Sequence, residues 1–495
     1  MPADLFTSPR AFPEQLGFPI PDDAHAVSVC LPTWSDIVRY EENDESIVKQ
    51  LQTVYPRFGL HPAVKQLCDE RINHDDQLGL PFPSVAVAER AAKYCEQRAN
   101  VVARVVPLTD SSSTLSAVTV AKNDFPTLKE YWQHAGENLS SRAAEAMLAG
   151  RWVTFTETNC RSVVRRRVSE IQQTATDNVF LFPSGMAAIA TAFRIVQQTK
   201  PGPTCQFGFP YVDTLKIQTK FDPAECLFLP LGGDSDLQTL DDTCKKSNIS
   251  AVFCEVPTNP LLVTVDLHRL RELADQHDFL LVTDDTLAMC GNINTLPLSD
   301  ITVTSLTKYF SGTGNVIAGS LTVNPHGRYS AALHKQLAAS FEETLCDNDV
   351  EVLEANSSDL KHRMQATNKN AYQLAEFLRQ QDLVDSVFYP AKHDSNYSRL
   401  QNPKAGFGGL MSIVLKNPKQ TTALFYDTLK VNKGPNLGTR FTLCCPFTML
   451  AHYNELDFAE SCGVSPWLLR ISVGLEEPDE LIRRFADALN AVKAV

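Results

Sequence analysis

The chain has 495 residues, of which 43% are hydrophobic and 21% are charged, and 45 basic against 58 acidic side chains give a formal net charge of −13. This length favours two or three domains of ordinary globular composition, and the acidic balance disfavours nucleic acid as a partner. No apolar run reaches the roughly 18 residues of a membrane span and the N-terminus does not resemble a secretory signal, so we expect a cytoplasmic protein without a membrane partner.

The first part of the chain predicts an arm followed by an inserted subdomain. Residues 1 to about 60 are rich in Pro, Asp and Glu and show little periodicity, which favours an extended arm with short helices. Helical spacing follows at 84–97 and 140–148, whereas the polar cluster that opens 107–120 predicts a loop. We assign the arm to 1–75 and the inserted subdomain to 76–175.

The middle of the chain alternates between strands and helices. Apolar strands are predicted at 179–185, 249–257, 279–285 and 316–323, with another that begins at Asp300. Helices are predicted at 186–198 and 265–278. This alternation favours a mostly parallel sheet at 176–330, whose ligands bind at the carboxyl ends of its strands. The long helical region, short strands and closing helix of 331–495 predict a smaller α+β domain.

The 13 cysteines do not indicate a disulfide framework. Their number is odd and their spacing lacks a CxxC pair, which favours reduced thiols packed in the core over disulfides. No group of His, Cys and Asp has the spacing of metal ligands, so no metal site is expected.

A lysine ends one of the buried strands, in TSLTKYFSG at 304–312. A buried ammonium is costly, and a desolvated lysine with a free amine is a good nucleophile towards an aldehyde. Lys308 is therefore a candidate for an imine link to a cofactor, and the hydroxyls of Ser305 and Thr307 beside it are candidates for a phosphate. The alternative is a strand-end lysine that reaches solvent.

Two further strand ends carry groups suited to a bound ring and a phosphate. Ser184 and Gly185 stand at a strand-to-helix junction, where backbone N–H groups and the helix dipole favour an anion, although Ser184 alone is also an ordinary N-cap. Asp284, in LLVTDDT, needs a partner if it is buried, and a pyridinium nitrogen is one. A structural ion pair or a helix cap is the alternative.

Three other residues complete the set. Asn259, in CEVPTNP, is placed to contact a ring oxygen, and Tyr211, in FGFPYVDTLK, is placed to stack on a ring. Arg470 lies within an apolar strand and suits a carboxylate that it binds through two N–H groups. The alternatives are a turn asparagine, a core aromatic and an internal salt bridge.

The order Ser-Gly-Met, Tyr, Asn-Pro, Asp, Lys and Arg resembles that of the Cys/Met-metabolism enzymes, which depend on pyridoxal 5′-phosphate (PLP). More narrowly, the chain resembles the fungal cystathionine γ-synthases from SVCLPTW at 28–34 to its end. The segments GFPYVDTLK, SLTKYFSG, FTLCCPF, LAHYNELDFA and LLRISVGLEEPDELI carry this resemblance. It implies an α/β protein of PLP-dependent transferase fold type I, like aspartate aminotransferase, with a seven-stranded sheet in the large domain.

The resemblance also implies a role for each matching residue. Lys308 carries PLP as a Schiff base and shuttles protons, Asp284 pairs with the pyridine nitrogen, and Tyr211 stacks on the ring and assists proton transfer. Asn259 contacts the ring hydroxyl, and Arg470 binds the substrate carboxylate. The residues that match the remaining cofactor contacts, mainly around the phosphate, are Ser184, Gly185, Met186, Ser305 and Thr307.

A Tyr-x-Arg pair from a neighbouring subunit grips the phosphate in this family, and Tyr55 and Arg57 in YPRF match it. The resemblance therefore implies that the arm at 1–75 reaches a neighbouring subunit. The expected assembly is a homodimer or homotetramer with shared active sites.

The chain departs from the family pattern in three places. Asn436, in GPNLGT, stands where Ser is usual near the substrate carboxylate, and we keep it as a substrate-binding residue. Asp285, in TDDT, stands where Asn is usual. The inserted subdomain at 76–175, which fungal relatives share, separates Arg57 from Ser184. We expect it to shape the entrance of the site or an oligomer contact.

The reaction that the resemblance implies is γ-replacement on an O-acylated L-homoserine, acetyl or succinyl, with cysteine adding to give cystathionine for methionine biosynthesis. Three alternatives stay open: addition of a carbon nucleophile such as an acetoacetate-type enolate in secondary metabolism, a C–S or γ-elimination lyase, and a non-catalytic PLP-fold scaffold. The presence of Lys308, Asp284 and Arg470 disfavours the scaffold. A nucleotide-binding protein is disfavoured because GxxxxGK[ST] and GxGxxG loops are missing.

Overall fold

The N-terminal arm is folded against its own chain in the computed structural model, which describes residues 4–56, 58–108, 115–221, 225–390 and 394–494. Ile20 N donates to Ser28 O at 2.9 Å, and Leu31 N donates to Lys433 O at 3.0 Å, which ties the arm to the C-terminal part of the chain. The helices of this region are α1 (Trp34–Glu41), α2 (Glu45–Val48) and α3 (Pro62–Arg71).

The inserted subdomain contains a small antiparallel sheet covered by helices. Its strands are β1 (Gln77–Phe82), β2 (Arg104–Pro107) and β3 (Ser116–Ala121), in the order β1-β3-β2. Its helices are α4 (Val85–Ala99), α5 (Phe125–Ala135), α6 (Ser141–Leu148) and α7 (Asn159–Gln172). The strand β3 was not predicted, and it pairs antiparallel with both β1 and β2. The predicted loop lies mainly at 109–114, outside the described residues.

A seven-stranded sheet forms the large domain. Its strands are β4 (Val179–Phe182), β5 (Thr204–Phe207), β6 (Cys226–Leu229), β7 (Ala251–Glu255), β8 (Leu280–Asp284), β9 (Ile301–Ser305) and β10 (Gly319–Val323). The order is β4-β10-β9-β8-β7-β5-β6, and β10 runs antiparallel to both of its neighbours. Both faces are covered, which explains why strands such as β7 and β9 are almost wholly buried. The predicted fold class is confirmed.

The helices of the large domain lie between these strands in the chain. They are α8 (Gly185–Thr199), α9 (Val212–Lys220), α10 (Asp234–Cys244) and α11 (Leu267–His277). The first of them, α8, begins where Ser184 Oγ accepts the N–H of Ala187 at 3.0 Å, as an N-cap. Its alanine-rich face is buried, which brings the helix close to the sheet.

The C-terminal part forms a second, smaller sheet with helices. Its strands are β11 (Val384–Phe388), β12 (Leu410–Leu415), β13 (Asn432–Lys433), β14 (Leu443–Pro446) and β15 (Leu469–Ser472), in the order β11-β12-β15-β14-β13. Its helices are α12 (Ser330–Ser340), α13 (Asp347–Asn356), α14 (Leu360–Arg379), α15 (Ser395–Leu400), α16 (Pro418–Thr428), α17 (Phe447–Ala451), α18 (Leu456–Ser461) and α19 (Pro478–Lys493). The three helices α12 to α14 are the predicted long helical region, broken at two places.

The inserted subdomain and the large domain share one hydrophobic core. Leu80 and Trp132 of the insert belong to the same buried cluster as Phe193 on α8 and Val282 on β8. Burial of apolar surface stabilises the fold in proportion to area, so this shared core holds the insert firmly on α8. None of the helices in the described part of the chain combines the length and apolarity that crossing a membrane requires.

Candidate active site

A cavity of about 200 Å³ lies at the carboxyl ends of the large sheet and gathers most of the predicted site residues. Its lining includes Tyr55, Ser184, Gly185, Met186, Tyr211, Asn259, Asp284, Ser305, Thr307, Lys308 and Arg470. Asn436 is 2% exposed and contacts Lys308. Arg57 lies outside the described residues. The site therefore has the location that a mostly parallel sheet favours for ligands.

The amine of Lys308 is held between two oxygens. Its Nζ donates to Asn436 Oδ1 at 2.7 Å and to Tyr55 Oη at 2.9 Å. The same Nζ lies 5.0 Å from the centre of the Tyr55 ring. These contacts fix a nucleophilic nitrogen in the cavity immediately after β9.

Tyr55 belongs to the same chain as the Lys308 that it contacts. The resemblance implies that a neighbouring subunit supplies this tyrosine, whereas within the single chain the arm folds back and brings Tyr55 to Lys308. Thr53 Oγ1 donates to Ala26 O at 2.8 Å, and Val27 N donates to Gly314 O at 2.9 Å, close to the end of β9. These bonds place residues 53–55 beside the cavity of their own chain. The expectation that the arm reaches a neighbouring subunit stays a prediction.

Two carboxylates end neighbouring strands at the floor of the cavity. Asp284 on β8 stands opposite Glu255 on β7 in the parallel register. Burial raises the pKa of Asp284, while hydrogen bonds from Thr286, among them its N–H at 2.9 Å, act against that rise. Burial, and then the charge of Asp284, raise the pKa of Glu255 well above its ordinary value. A cationic ring nitrogen at Asp284 would offset the cost of this buried charge.

Glu255 was missed by the sequence reasoning. Its Oε1 accepts the N–H of Tyr211 at 2.5 Å and its Oε2 accepts the N–H of Asn259 at 3.1 Å. One buried side chain thus joins the two loops that carry the predicted ring contacts. The available signal was a glutamate that ends a buried strand in CEVPTNP.

Arg470 on β15 reaches the cavity from the small domain. Its Nη2 donates to Pro435 O at 2.6 Å, its Nη1 donates to Asn259 Oδ1 at 3.4 Å, and its Cζ lies 4.9 Å from the centre of the Phe447 ring. In the part of the chain that the structure describes, no carboxylate forms an ion pair with Arg470. Its guanidinium therefore suits an external carboxylate better than the internal salt bridge considered above.

The turn from Ser184 to Met186 meets the end of β9 closely. A methyl group on Gly185 would lie 2.8 Å from Ser305 Cβ, so only glycine lets the two segments approach in this way. The hydroxyl of Thr307 donates to Ala318 O at 3.2 Å and accepts its N–H at 3.0 Å, which ties it to the backbone. The phosphate contact expected of Thr307 stays a prediction.

The wall opposite the sheet comes from the arm and the insert. The insert was expected to shape the entrance or an oligomer contact, but apart from Tyr55 the residues of this wall were not predicted. The rings of His25 and His61 are stacked with centres 6.1 Å apart, and His25 Nδ1 lies 3.0 Å from Ser141 Oγ. Burial lowers the pKa of both histidines. The other lining residues from this side include Val27, Val54, Trp132, Gln133, Asn138 and Ser140.

The cavity offers the donor set that PLP requires. It combines a lysine amine, a buried carboxylate at a strand end, an aromatic ring beside the floor and the N-terminus of α8 for a phosphate. The backbone N–H groups at the start of α8 suit a phosphate, and Ser305 packs directly against this turn. No cluster of His, Cys, Asp and Glu among the described residues has the arrangement of a metal site.

Two family models match this chain. The model of the Cys/Met metabolism PLP-dependent enzymes matches residues 133–490, and the model of the N-terminal domain of fungal trans-sulfuration enzymes matches residues 63–140. The first match spans more than half of the chain and includes the sheet, the cavity floor and the small domain.

Individual proteins agree with this assignment. Cystathionine gamma-synthase of Neurospora crassa is 35% identical, over 97% of this chain and 99% of the relative. The cystathionine gamma-synthase-like enzyme iboG2 of Amanita muscaria is 32% identical, over 97% and 96%. The crystal structure of cystathionine gamma-synthase from Xanthomonas oryzae superposes with a TM-score of 0.59 at 22% identity, over 68% of this chain and 87% of that chain, which supports the fold.

Proposed function

The chain belongs to the Cys/Met metabolism family of PLP-dependent enzymes, and on that premise we propose that it catalyses γ-replacement on an O-acylated L-homoserine. In this proposal the acyl group is acetyl or succinyl, the nucleophile is cysteine, and the product is cystathionine. The protein is a PLP-dependent enzyme, and the proposal adds the substrate pair.

The observation that carries the proposal is the placement of Lys308 between Asn436 and Tyr55, in a cavity that also holds Asp284 and Arg470. A base, a carboxylate for a ring nitrogen and a cation for a substrate carboxylate are what a reaction at the α- and β-carbons of an amino acid requires. Relatives that are named cystathionine gamma-synthases and align over nearly their whole length support the choice of reaction.

When bound, PLP supplies an electron sink that stabilises negative charge at the substrate Cα. Lys308 Nζ holds and moves protons, and Asn436 and Tyr55 keep it in place while it does so. Arg470 orients the substrate through its carboxylate. The arm and the insert close the cavity on the side away from the sheet and thereby limit the entry of water.

A second candidate is the same γ-replacement with a carbon nucleophile, such as an acetoacetate-type enolate. Asn436 favours it to a degree, because an amide replaces the usual Ser beside Lys308 and changes the hydrogen bonds around the reacting amine. The 32% identity to enzymes that are named only as cystathionine gamma-synthase-like also keeps this candidate open.

The test is product analysis by mass spectrometry. The PLP-loaded enzyme is given O-acetyl- or O-succinylhomoserine with cysteine, and separately with acetoacetate. Lys308→Ala is the inactive control, and Lys335→Ala, at an exposed lysine on α12, is the matched active control. Cystathionine as the main product supports the proposal. A carbon–carbon adduct with little cystathionine would show that the enzyme uses the carbon nucleophile instead of cysteine. Release of the acyl group without any adduct would indicate a lyase.

A further inference from the structure

The joining segment, residues 134–141, runs from the end of α5 to the start of α6 within the insert, and it touches the phosphate turn directly. Ser184 Oγ, which caps α8, donates to Gly136 O at 2.7 Å and accepts the N–H of Ala187 at 3.0 Å. The hydroxyl of Ser184 is thus held on one side by the joining segment and on the other by the helix that it caps. A shift of Gly136 therefore moves the first turn of α8.

Gly136 can occupy this place only as glycine, for two independent reasons. Its φ of +64° lies in the left-handed region, which disfavours residues with a Cβ. A methyl group at this position would also lie 2.5 Å from Ser184 Oγ and 2.6 Å from Met186 Cβ. Both of these atoms belong to the turn that faces the cavity.

Two buried polar contacts fasten the same segment to the helices that border the cavity. His134 Nδ1 lies 2.7 Å from Asp213 Oδ1, at the start of α9, and both side chains are buried. Glu137 is 5% exposed, forms two hydrogen bonds with Arg90 of the insert, and lies 3.5 Å from Arg194 on α8. The Glu137 ion pairs fix position because separation would leave a buried charge without a partner.

We propose that the inserted subdomain is a working part of the cofactor site, because its joining segment sets the geometry of the phosphate-binding turn of α8. Gly136 is the positioning residue, and it acts through Ser184 and Met186. The inference rests on the PLP site of the proposed function but is independent of the nucleophile. If the role of Gly136 is not confirmed, the proposed reaction still stands. If product analysis identifies a different nucleophile, the role of Gly136 still stands.

The test compares PLP with pyridoxal, which lacks the phosphate, as ligands of the full-length chain after removal of cofactor. The variant is Gly136→Ala. Its control is Gly150→Ala, because Gly150 lies in the same subdomain with a φ of +68° but has no atom within 4 Å of an added methyl group. Both variants carry the same backbone strain, and only Gly136→Ala presses on the phosphate turn.

We expect the apparent Kd of Gly136→Ala for PLP to rise by about tenfold or more, while its Kd for pyridoxal and both constants of Gly150→Ala change little. The visible absorbance of bound cofactor gives the readout, and thermal melting of the cofactor-free chains shows whether each variant is folded. Equal losses for PLP and pyridoxal, or equal behaviour of the two glycine variants, would overturn the inference.

A second variant keeps the test decisive if Gly136→Ala does not fold. His134→Gln removes the imidazole that contacts Asp213 and leaves Gly136 in place. We expect a smaller loss of PLP affinity, again without a loss for pyridoxal. Unchanged PLP affinity in folded His134→Gln contradicts the inference.

Discussion

Lys308 Nζ donates to Asn436 Oδ1 at 2.7 Å, and Asn436 is almost wholly buried. Among the described residues, the amide nitrogen of the same side chain is buried without a hydrogen-bond partner. An asparagine in this state is retained at a cost, since an unsatisfied buried donor destabilises a fold. The contact with the reacting amine explains why the asparagine is useful at this position.

Replacement of Asn436 by Ala should lower kcat by about tenfold or more, because the amine that moves protons loses one of the two oxygens that place it. Asn436→Ser, which introduces the residue that is usual in the family, should retain more activity than Asn436→Ala. Steady-state kinetics with cofactor content measured for each variant provide the check. Equal kcat values in Asn436→Ala and the parent contradict a positioning role.

The contact between Tyr55 and Lys308 within one chain predicts the outcome of a mixing experiment. A subunit with Tyr55→Ala and a subunit with Lys308→Ala are co-expressed so that mixed assemblies form. With Tyr55 and Lys308 in one chain, each site lacks one of the two groups, and the mixture should be no more active than the single variants.

Restored activity in that mixture would show that Tyr55 crosses to a neighbouring subunit, since one site in each mixed pair would then be intact. Tyr55→Phe gives a separate measure, because it keeps the ring beside Lys308 and removes only the hydroxyl. We expect its kcat to fall less than that of Tyr55→Ala.

Apart from Glu255, the floor of the site could be predicted from sequence because its residues stand at or near the ends of local patterns. Lys308 and Asp284 follow buried strands of a mostly parallel sheet, so the fold brings them together once the sheet is recognised. Arg470 lies in a short apolar strand, where a charged residue stands out.

The opposite wall could not be predicted in the same way. His25 and Trp132 come from the arm and the insert, and only long-range packing brings them to the cavity. Glu255 was visible in the sequence, but its two backbone partners depend on where the loops of Tyr211 and Asn259 turn.

Lys433 is a buried lysine outside the active site, and its titration should affect stability. Its Nζ donates to Pro32 O at 2.8 Å and Asp427 O at 3.1 Å, and burial lowers its pKa to about 8, although the carboxylates of Asp427 and Asp36 oppose the shift. The folded pKa is below the unfolded value, so the unfolded chain binds more protons between the two values. Stability from this residue should therefore rise as pH increases above about 8.

The variant Lys433→Met isolates this effect from other groups that titrate at alkaline pH. The melting temperature of the parent minus that of Lys433→Met should increase from about pH 7 to about pH 10. Lys335→Met, at an exposed lysine, is the control and should give a difference that does not depend on pH. A flat difference for Lys433→Met contradicts the prediction.

Asp285, which stands where the family usually has Asn, should reduce stability at neutral pH. Burial raises its pKa to about 6, although Thr304 Oγ1 at 2.5 Å and Gln172 Nε2 at 2.7 Å donate to it. The folded pKa lies above the unfolded value, so the stability that protonated Asp285 provides is complete at low pH and is lost as pH rises through about 6.

Replacement of Asp285 by Asn should therefore raise the melting temperature at neutral pH by a few degrees. An asparagine accepts from Thr304 with its oxygen, and its amide nitrogen can donate to Gln172 Oε1, which has no hydrogen-bond partner in the structure, after rotation of that amide. Melting temperatures between about pH 4.5 and about pH 7.5 should show a gain over the parent that grows with pH and levels off above about 6. A gain in melting temperature that does not vary with pH would mean that a neutral contact, and not the buried charge, causes the difference in stability between the two proteins.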